Sequence, residues 1–198
     1  FVGSLVCHQL PDRTLFVGGQ YLPVCARDTG AYIGLFLGYP LLPMRRKHSP
    51  GPPHLIMTLM TLAPMMIDAG TQWIGLRPST NEARLFTGLL FGTGLAPFLV
   101  YTLSLVSASK KMPILRNLLP ETAELDSKDR WLSNKALLTG LLTAVAFYFI
   151  INSVTGSVNA IFYWSLSSLI IASVIWHIFL LPFCLVALYA LSLWRRKN

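Results

Sequence analysis

Apolar and polar positions alternate along the 198 residues in long blocks. A membrane-crossing helix needs about 20 mostly apolar residues. Four blocks have that form, at about 25–42, 54–75, 84–106 and 136–155. A fifth block, about 157–193, is long for one span and short for two spans with a turn. Pro182 lies inside it, and proline removes a helix hydrogen bond, so the spacing predicts one tilted, kinked helix. The pattern therefore predicts an all-α polytopic membrane bundle of about five helices.

Composition strengthens this reading. The chain is 54% hydrophobic and 12% charged, against roughly 25% charged in a soluble domain. A formal charge of +8 would suit nucleic acid in a soluble protein. Here twelve of the sixteen basic residues cluster at Arg45, Arg46 and Lys47, at Lys110, Lys111, Arg116, Lys128, Arg130 and Lys135, and at Arg195, Arg196 and Lys197. With five spans all twelve fall on one side, which the positive-inside rule makes cytoplasmic. The N-terminus is then expected outside, the C-terminus inside, and no nucleic-acid partner is implied. Three segments follow: a membrane core at 1–106, a polar cytoplasmic loop at 107–135, and two spans with a basic tail at 136–198. The chain lacks an initiator Met, so further N-terminal sequence is expected. The residues before Cys7 lack the basic flank and apolar core of a cleavable signal.

The other four basic residues, Arg13, Arg27, Arg77 and Arg84, are all arginines and all fall at the outer face. Arginine suits bidentate, partly buried pairing with carboxylate or phosphate, so an anion site is expected there. Asp68 sits within apolar sequence in the second span, and intramembrane ionisable groups are functional candidates. Asp68, Thr71, Gln72 and Gly75 share one helix face by spacing and form an expected inward polar stripe. A structural ion pair between Asp68 and one of the arginines is the competing reading. Ser79 and Glu82 fit a capping box for the third helix. Thr80 and Asn81 would then present polar groups at a helix N-terminus, where anions are favoured.

The stretch from Cys7 to Asp28 leaves four readings open. Asp28 can simply cap the first helix. Cys7, His8, Cys25 and Asp28 form a ligand set that zinc accepts, though the spacing is not a standard one. Cys7 and Cys25 can form a disulfide in an oxidising compartment. Cys25, beside Arg27 at a helix start, is the better nucleophile candidate, since those neighbours lower a thiol pKa; His8 is poorly placed to activate its neighbour Cys7. Gly30, Gly34 and Gly38, with Gly88 and Gly92, step by four and predict close packing among the first three spans.

Elsewhere the expectations are plainer. Asn152 and His177 should make local hydrogen bonds, Cys184 should be an inert buried thiol, and Trp131 and Trp194 suit interfacial belts. The residues 121–131 predict a solvated or interfacial helix.

The chain resembles a prokaryotic membrane-protein family without an assigned reaction. The matching pieces are Cys7-His8-Gln9, Arg13, Pro23-Val24-Cys25-Ala26-Arg27-Asp28-Thr29-Gly30, Asp68, Thr71-Gln72, Arg77, and Ser79-Thr80-Asn81 with Arg84. Asp28 stands where some members have a second Cys, which argues against a Cys-x-x-Cys redox role and leaves a metal role open. Ala69 stands where Gly is expected.

Three functional readings compete. The first is an enzyme acting on an anionic, lipid-linked substrate at the outer leaflet. Arg13, Arg27, Arg77, Arg84, Thr71, Gln72, Thr80 and Asn81 would bind substrate, Asp68 or His8 would act as acid or base, and Cys25 as ligand or nucleophile. The second is a transporter or binding protein for a small anion or metal, with Asp68, Asn152 and His177 marking different depths; no internal repeat supports it. The third is a structural or assembly subunit in which Asp12, Asp28, Asp68 and Glu82 neutralise the four arginines.

Overall fold

The computed structural model describes residues 3–38, 52–108, 134–182, 186 and 190. The chain does not enter directly as a helix. Short 3-10 turns at Gly3–Leu5 and Pro11–Arg13 lead into a hairpin of β1 (Phe16–Val17) and β2 (Gln20–Tyr21), with Phe16 opposite Tyr21 and Val17 opposite Gln20. Gly18 and Gly19 have φ of 58° and 78°, and a two-residue hairpin turn of type I′ needs positive φ at both positions. Val17 and Val24 are fully buried, with Leu15 and Leu22 nearly so, so this segment is a packed plug.

Five helices follow among the described residues: α1 (Ala26–Gly38), α2 (Pro52–Trp73), α3 (Asn81–Ala108), α4 (Asn134–Val154) and α5 (Ala160–Ile175). Each lies within or close to one of the five apolar blocks. Their ends follow from local chemistry. Beyond α2, the amide of Leu76 donates to Thr71 and that of Gly75 to Gln72, with Gly75 at φ 75°; this is the Schellman closure that glycine favours. Gly75 therefore terminates α2 and does not extend its polar stripe. Thr80 caps α3, its Oγ1 accepting from the Ala83 amide at 3.3 Å. The expected Ser79–Glu82 box is displaced by one residue, because the Ser79 hydroxyl is drawn to Asp68. Asn159 caps α5 by accepting from the Ile161 amide at 3.0 Å.

The helix of α5 runs on into a π-helical turn at Trp176–Leu180. The ring of Pro182 crowds the carbonyl four residues earlier, and widening the helix accommodates it. The described part of the last block is thus one helix through Pro182. The wide turn stands where a kink was expected.

Glycines set the closest contact. A Cβ on Gly34 would lie 2.6 Å from the Leu89 carbonyl, and one on Gly38 2.6 Å from the Ala96 methyl. Cβ atoms on Gly30, Gly88 and Gly92 would collide with the carbonyls of Leu85, Arg27 and Ala31. The backbones of α1 and α3 touch directly, as the step of four predicts. On α2, Thr61 fills the space over Gly94.

Among the described residues, the polar connections gather at one end. Gly18 donates to the Ser157 carbonyl at 2.6 Å, Gly156 donates to that of Phe16 at 2.7 Å, and Asn81 donates to that of Asp12 at 3.3 Å. The N-terminal plug, the α2–α3 turn and the α4–α5 turn therefore share a face. Leu142, Phe149, Ile150, Ile161 and Trp164 point outward from α4 and α5. Among the described residues, Ala160–Leu180 is long and apolar enough to cross a bilayer, and Thr139–Val154 is a shorter apolar helix. The loop basic residues Arg45, Arg46, Lys47, Lys110, Lys111, Arg116, Lys128 and Arg130 lie outside the described residues. So do the tail basic residues Arg195, Arg196 and Lys197, together with Trp131, Cys184, Trp194 and the polar segment 109–133.

Candidate functional site

Asp68 is 1% exposed, and both of its oxygens are occupied. Oδ2 accepts from Arg27 at 2.7 Å and Oδ1 from Arg77 at 2.9 Å. The Ser79 hydroxyl lies 2.8 and 2.9 Å from the two oxygens. Arg27 also donates to Gln72 Oε1 at 3.1 Å. One carboxylate on α2 thus ties α1 and the α2–α3 turn together. Thr71 is not part of this network; its hydroxyl bonds the carbonyls of Ile67 and Asp68 in its own helix. Ser79 belongs to the site although its sequence context reads as a helix cap.

The arginines do not pair one-to-one with the four acids. Asp68 takes two of them, and Arg13 meets exposed Asp12 at 3.6 Å. Arg84 is 6% exposed. Its guanidinium donates to Asn81 Oδ1 at 2.9 Å and has no carboxylate within ion-pair distance among the described residues. The charges of Arg13, Arg27 and Asp68 lie near it, as does the Cys25 thiol. The Nε of Arg27 is also buried without a hydrogen-bond partner among the described residues. Thr80 and Asn81 lie beside this cationic spot at the start of α3.

A second cluster lies at the start of α1. One ligand atom from each of Cys7, Cys25 and Asp28 falls within 4.8 Å of the others. The Cys25 amide donates to Cys7 Sγ at 3.1 Å, and the Cys25 thiol donates to Asp28 Oδ2 at 3.3 Å. Asp28 therefore faces a thiol. Both cysteines are free thiols. Cys25 precedes the first residue of α1. Burial pushes its thiol up to about 12; the Asp28 backbone amide opposes this in part, and the Asp28 carboxylate adds to it. The expected lowering beside Arg27 does not occur, because Arg27 is turned toward Asp68 and Gln72. His8 is exposed and is not among the clustered ligands.

Asn152 lies on the exposed surface of α4. His177 Nδ1 sits 2.6 Å from the Ser173 carbonyl, one turn back in its own helix, in the local hydrogen bond expected of it.

Residues 7–98 match a family described as predicted membrane protein, DUF2085, and that segment contains both clusters. An uncharacterised protein of Methanocaldococcus jannaschii is 41% identical over 92 residues, 46% of this chain and 59% of that protein. An uncharacterised protein of Methanothermobacter thermautotrophicus is 38% identical over 94 residues, 46% of this chain and 81% of that protein. The chain belongs to this family of predicted membrane proteins. Its match spans about three-fifths of the length of the first relative. No solved structure matches it.

Proposed function

We propose that the chain is a multi-pass protein of the cell membrane that binds a phosphate- or carboxylate-bearing ligand at the outer ends of α1 and α3. The observation that carries this reading is Arg84, a guanidinium 6% exposed whose side-chain partner, Asn81, is neutral. A buried charge without a direct ion-pair partner is costly, and an anion beside Arg84 and Arg13 would offset that cost. The N-terminus of α3 adds its dipole and free amides in the same place. The outward position is supported by the shared face of the N-terminal plug and two turns, together with the run of Lys and Arg in the alternate connections.

Binding is better supported than turnover. The Asp68 carboxylate is buried and engaged by Arg27, Arg77 and Ser79, which counts against it as the main acid–base candidate. Transport has less behind it, since Asn152 faces outward and His177 is engaged within its helix.

The test uses the full chain in mild detergent. Native mass spectrometry reads retained anionic phospholipid, and thermal denaturation is followed during titration with inorganic phosphate. Arg84→Gln should weaken the response about tenfold, the loss expected for one charge-assisted hydrogen bond. Lipid retention that falls in the variant identifies a headgroup ligand. Phosphate stabilisation that falls in the variant identifies a small anion. Identical behaviour of parent and variant in both arms would overturn the reading.

A further inference from the structure

We propose that Cys7, Cys25 and Asp28 form a three-ligand site for a thiophilic divalent cation, zinc above all, with a fourth position left for a small ligand. This assignment is independent of the anion reading. The donor set is two sulfurs and one carboxylate oxygen, all ligand types that zinc takes, and tetrahedral zinc places two thiolate sulfurs about 3.8 Å apart. The three donor atoms already lie within 4.8 Å of one another, so small side-chain rotations close the site.

The positions are built in advance. The Cys7 amide donates to the Gly3 carbonyl at 3.0 Å, and the Cys25 carbonyl accepts from Thr29 at 2.8 Å. Between them, the buried hairpin residues Val17, Leu22 and Val24 hold the connecting chain against the helices. Eighteen positions of sequence separation are thereby folded back onto one point. The Cys25 amide directed at Cys7 Sγ at 3.1 Å is the kind of outer hydrogen bond that stabilises a ligating thiolate. The Cys25 thiol donates to Asp28 Oδ2 across 3.3 Å, and a cation between the two atoms would replace that proton. Binding M²⁺ then forms two M–S bonds and one M–O bond and releases the two thiol protons to water, with no change of oxidation state. Two thiolates and a carboxylate against a divalent cation leave one net negative charge, and Arg84 lies in the same charged neighbourhood as Cys25. Three protein ligands with an open fourth position are the arrangement of zinc sites that do chemistry, while structural sites use four.

The experiment loads the full chain with cobalt(II), a spectroscopic substitute for zinc, in mild detergent after phosphine reduction. One cobalt per chain with a thiolate-to-cobalt charge-transfer band is expected, and zinc should displace it. Cys7→Ser and Cys25→Ser should each lose the band. Asp28→Cys should keep the metal and raise the band by about half, since three thiolates replace two. That gain keeps the test decisive if a serine variant fails to fold. His8→Ala should leave the band unchanged; its loss there would overturn the three-ligand assignment. Reduced, monodisperse protein that takes up no cobalt would overturn the site altogether. So would a stable Cys7–Cys25 disulfide in protein that binds no metal once reduced.

Discussion

The polar end of the molecule turns on which groups face Asp68. Its carboxylate is buried and takes charge-assisted bonds from Arg27 and Arg77. The two arginines are not equivalent: the Arg27 side chain is 19% exposed and that of Arg77 is 50% exposed. Removing a buried partner strands a charge and costs about 3–5 kcal/mol, whereas an exposed pair contributes about 1 kcal/mol or less. Asp68→Asn should therefore lower the stability of the detergent-solubilised chain far more than Arg77→Gln, read as loss of monodisperse protein on heating. Adding Arg27→Gln to Asp68→Asn should restore part of the loss, because the stranded charge is then gone. Equal losses for Asp68→Asn and Arg77→Gln would show that burial of the pair is not what matters. Asp68 is legible in the sequence as a carboxylate among apolar residues. Its partner Ser79 is not, because Ser followed three residues later by Glu reads as a cap, and only the fold shows that Thr80 took that role. The thiols are legible by type, but their meeting depends on a hairpin that returns the chain.

Helix pairing is written in glycine spacing, and that part carries over directly from sequence to structure. The faces of α1 and α3 meet where Gly30, Gly34, Gly88 and Gly92 remove side chains, and backbone occupies the vacated space. Gly34→Ala places a methyl 2.6 Å from the Leu89 carbonyl. Overpacking of this kind costs about 1–3 kcal/mol. Gly140 and Gly70 also lie in helices, but a Cβ there meets nothing within 4 Å. Gly70→Ala and Gly140→Ala should be neutral or stabilising by up to about 1 kcal/mol through helix propensity. Thermal denaturation of the three single variants checks the order, and a destabilised Gly140→Ala beside an unaffected Gly34→Ala would contradict close α1–α3 packing. The hairpin is an element the apolar-block reading passes over. Its Gly18-Gly19 pair between Leu-Phe-Val and Gln-Tyr-Leu is a short-range hairpin pattern, too short to register in apolar blocks of about 20 residues.

At the scale of the whole molecule the proposal is an alternating bundle with one polar end outside the cell. The plug and both short turns share that end through the Gly18–Ser157, Gly156–Phe16 and Asn81–Asp12 bonds. The connections between α1 and α2 and between α3 and α4, and the tail, carry eleven of the sixteen basic residues, and Lys135 stands in the first turn of α4. If those segments are cytoplasmic, a fluorescent protein fused after Asn198 should mature and fluoresce, and alkaline phosphatase fused there should be inactive. The same phosphatase inserted in the α2–α3 turn after Pro78 should be active, because that turn shares the outer end. Replacing Arg195, Arg196 and Lys197 by Gln should leave this pattern largely intact, since two further basic clusters retain the bias. An active phosphatase after Asn198 would place the tail outside. The block after Ser157 would then have to cross twice, and the uninterrupted helix from Ala160 to Pro182 argues against a second crossing within that stretch. The fusion result therefore decides between five crossings and six, and with them whether the arginine and thiol clusters meet ligands from outside the cell.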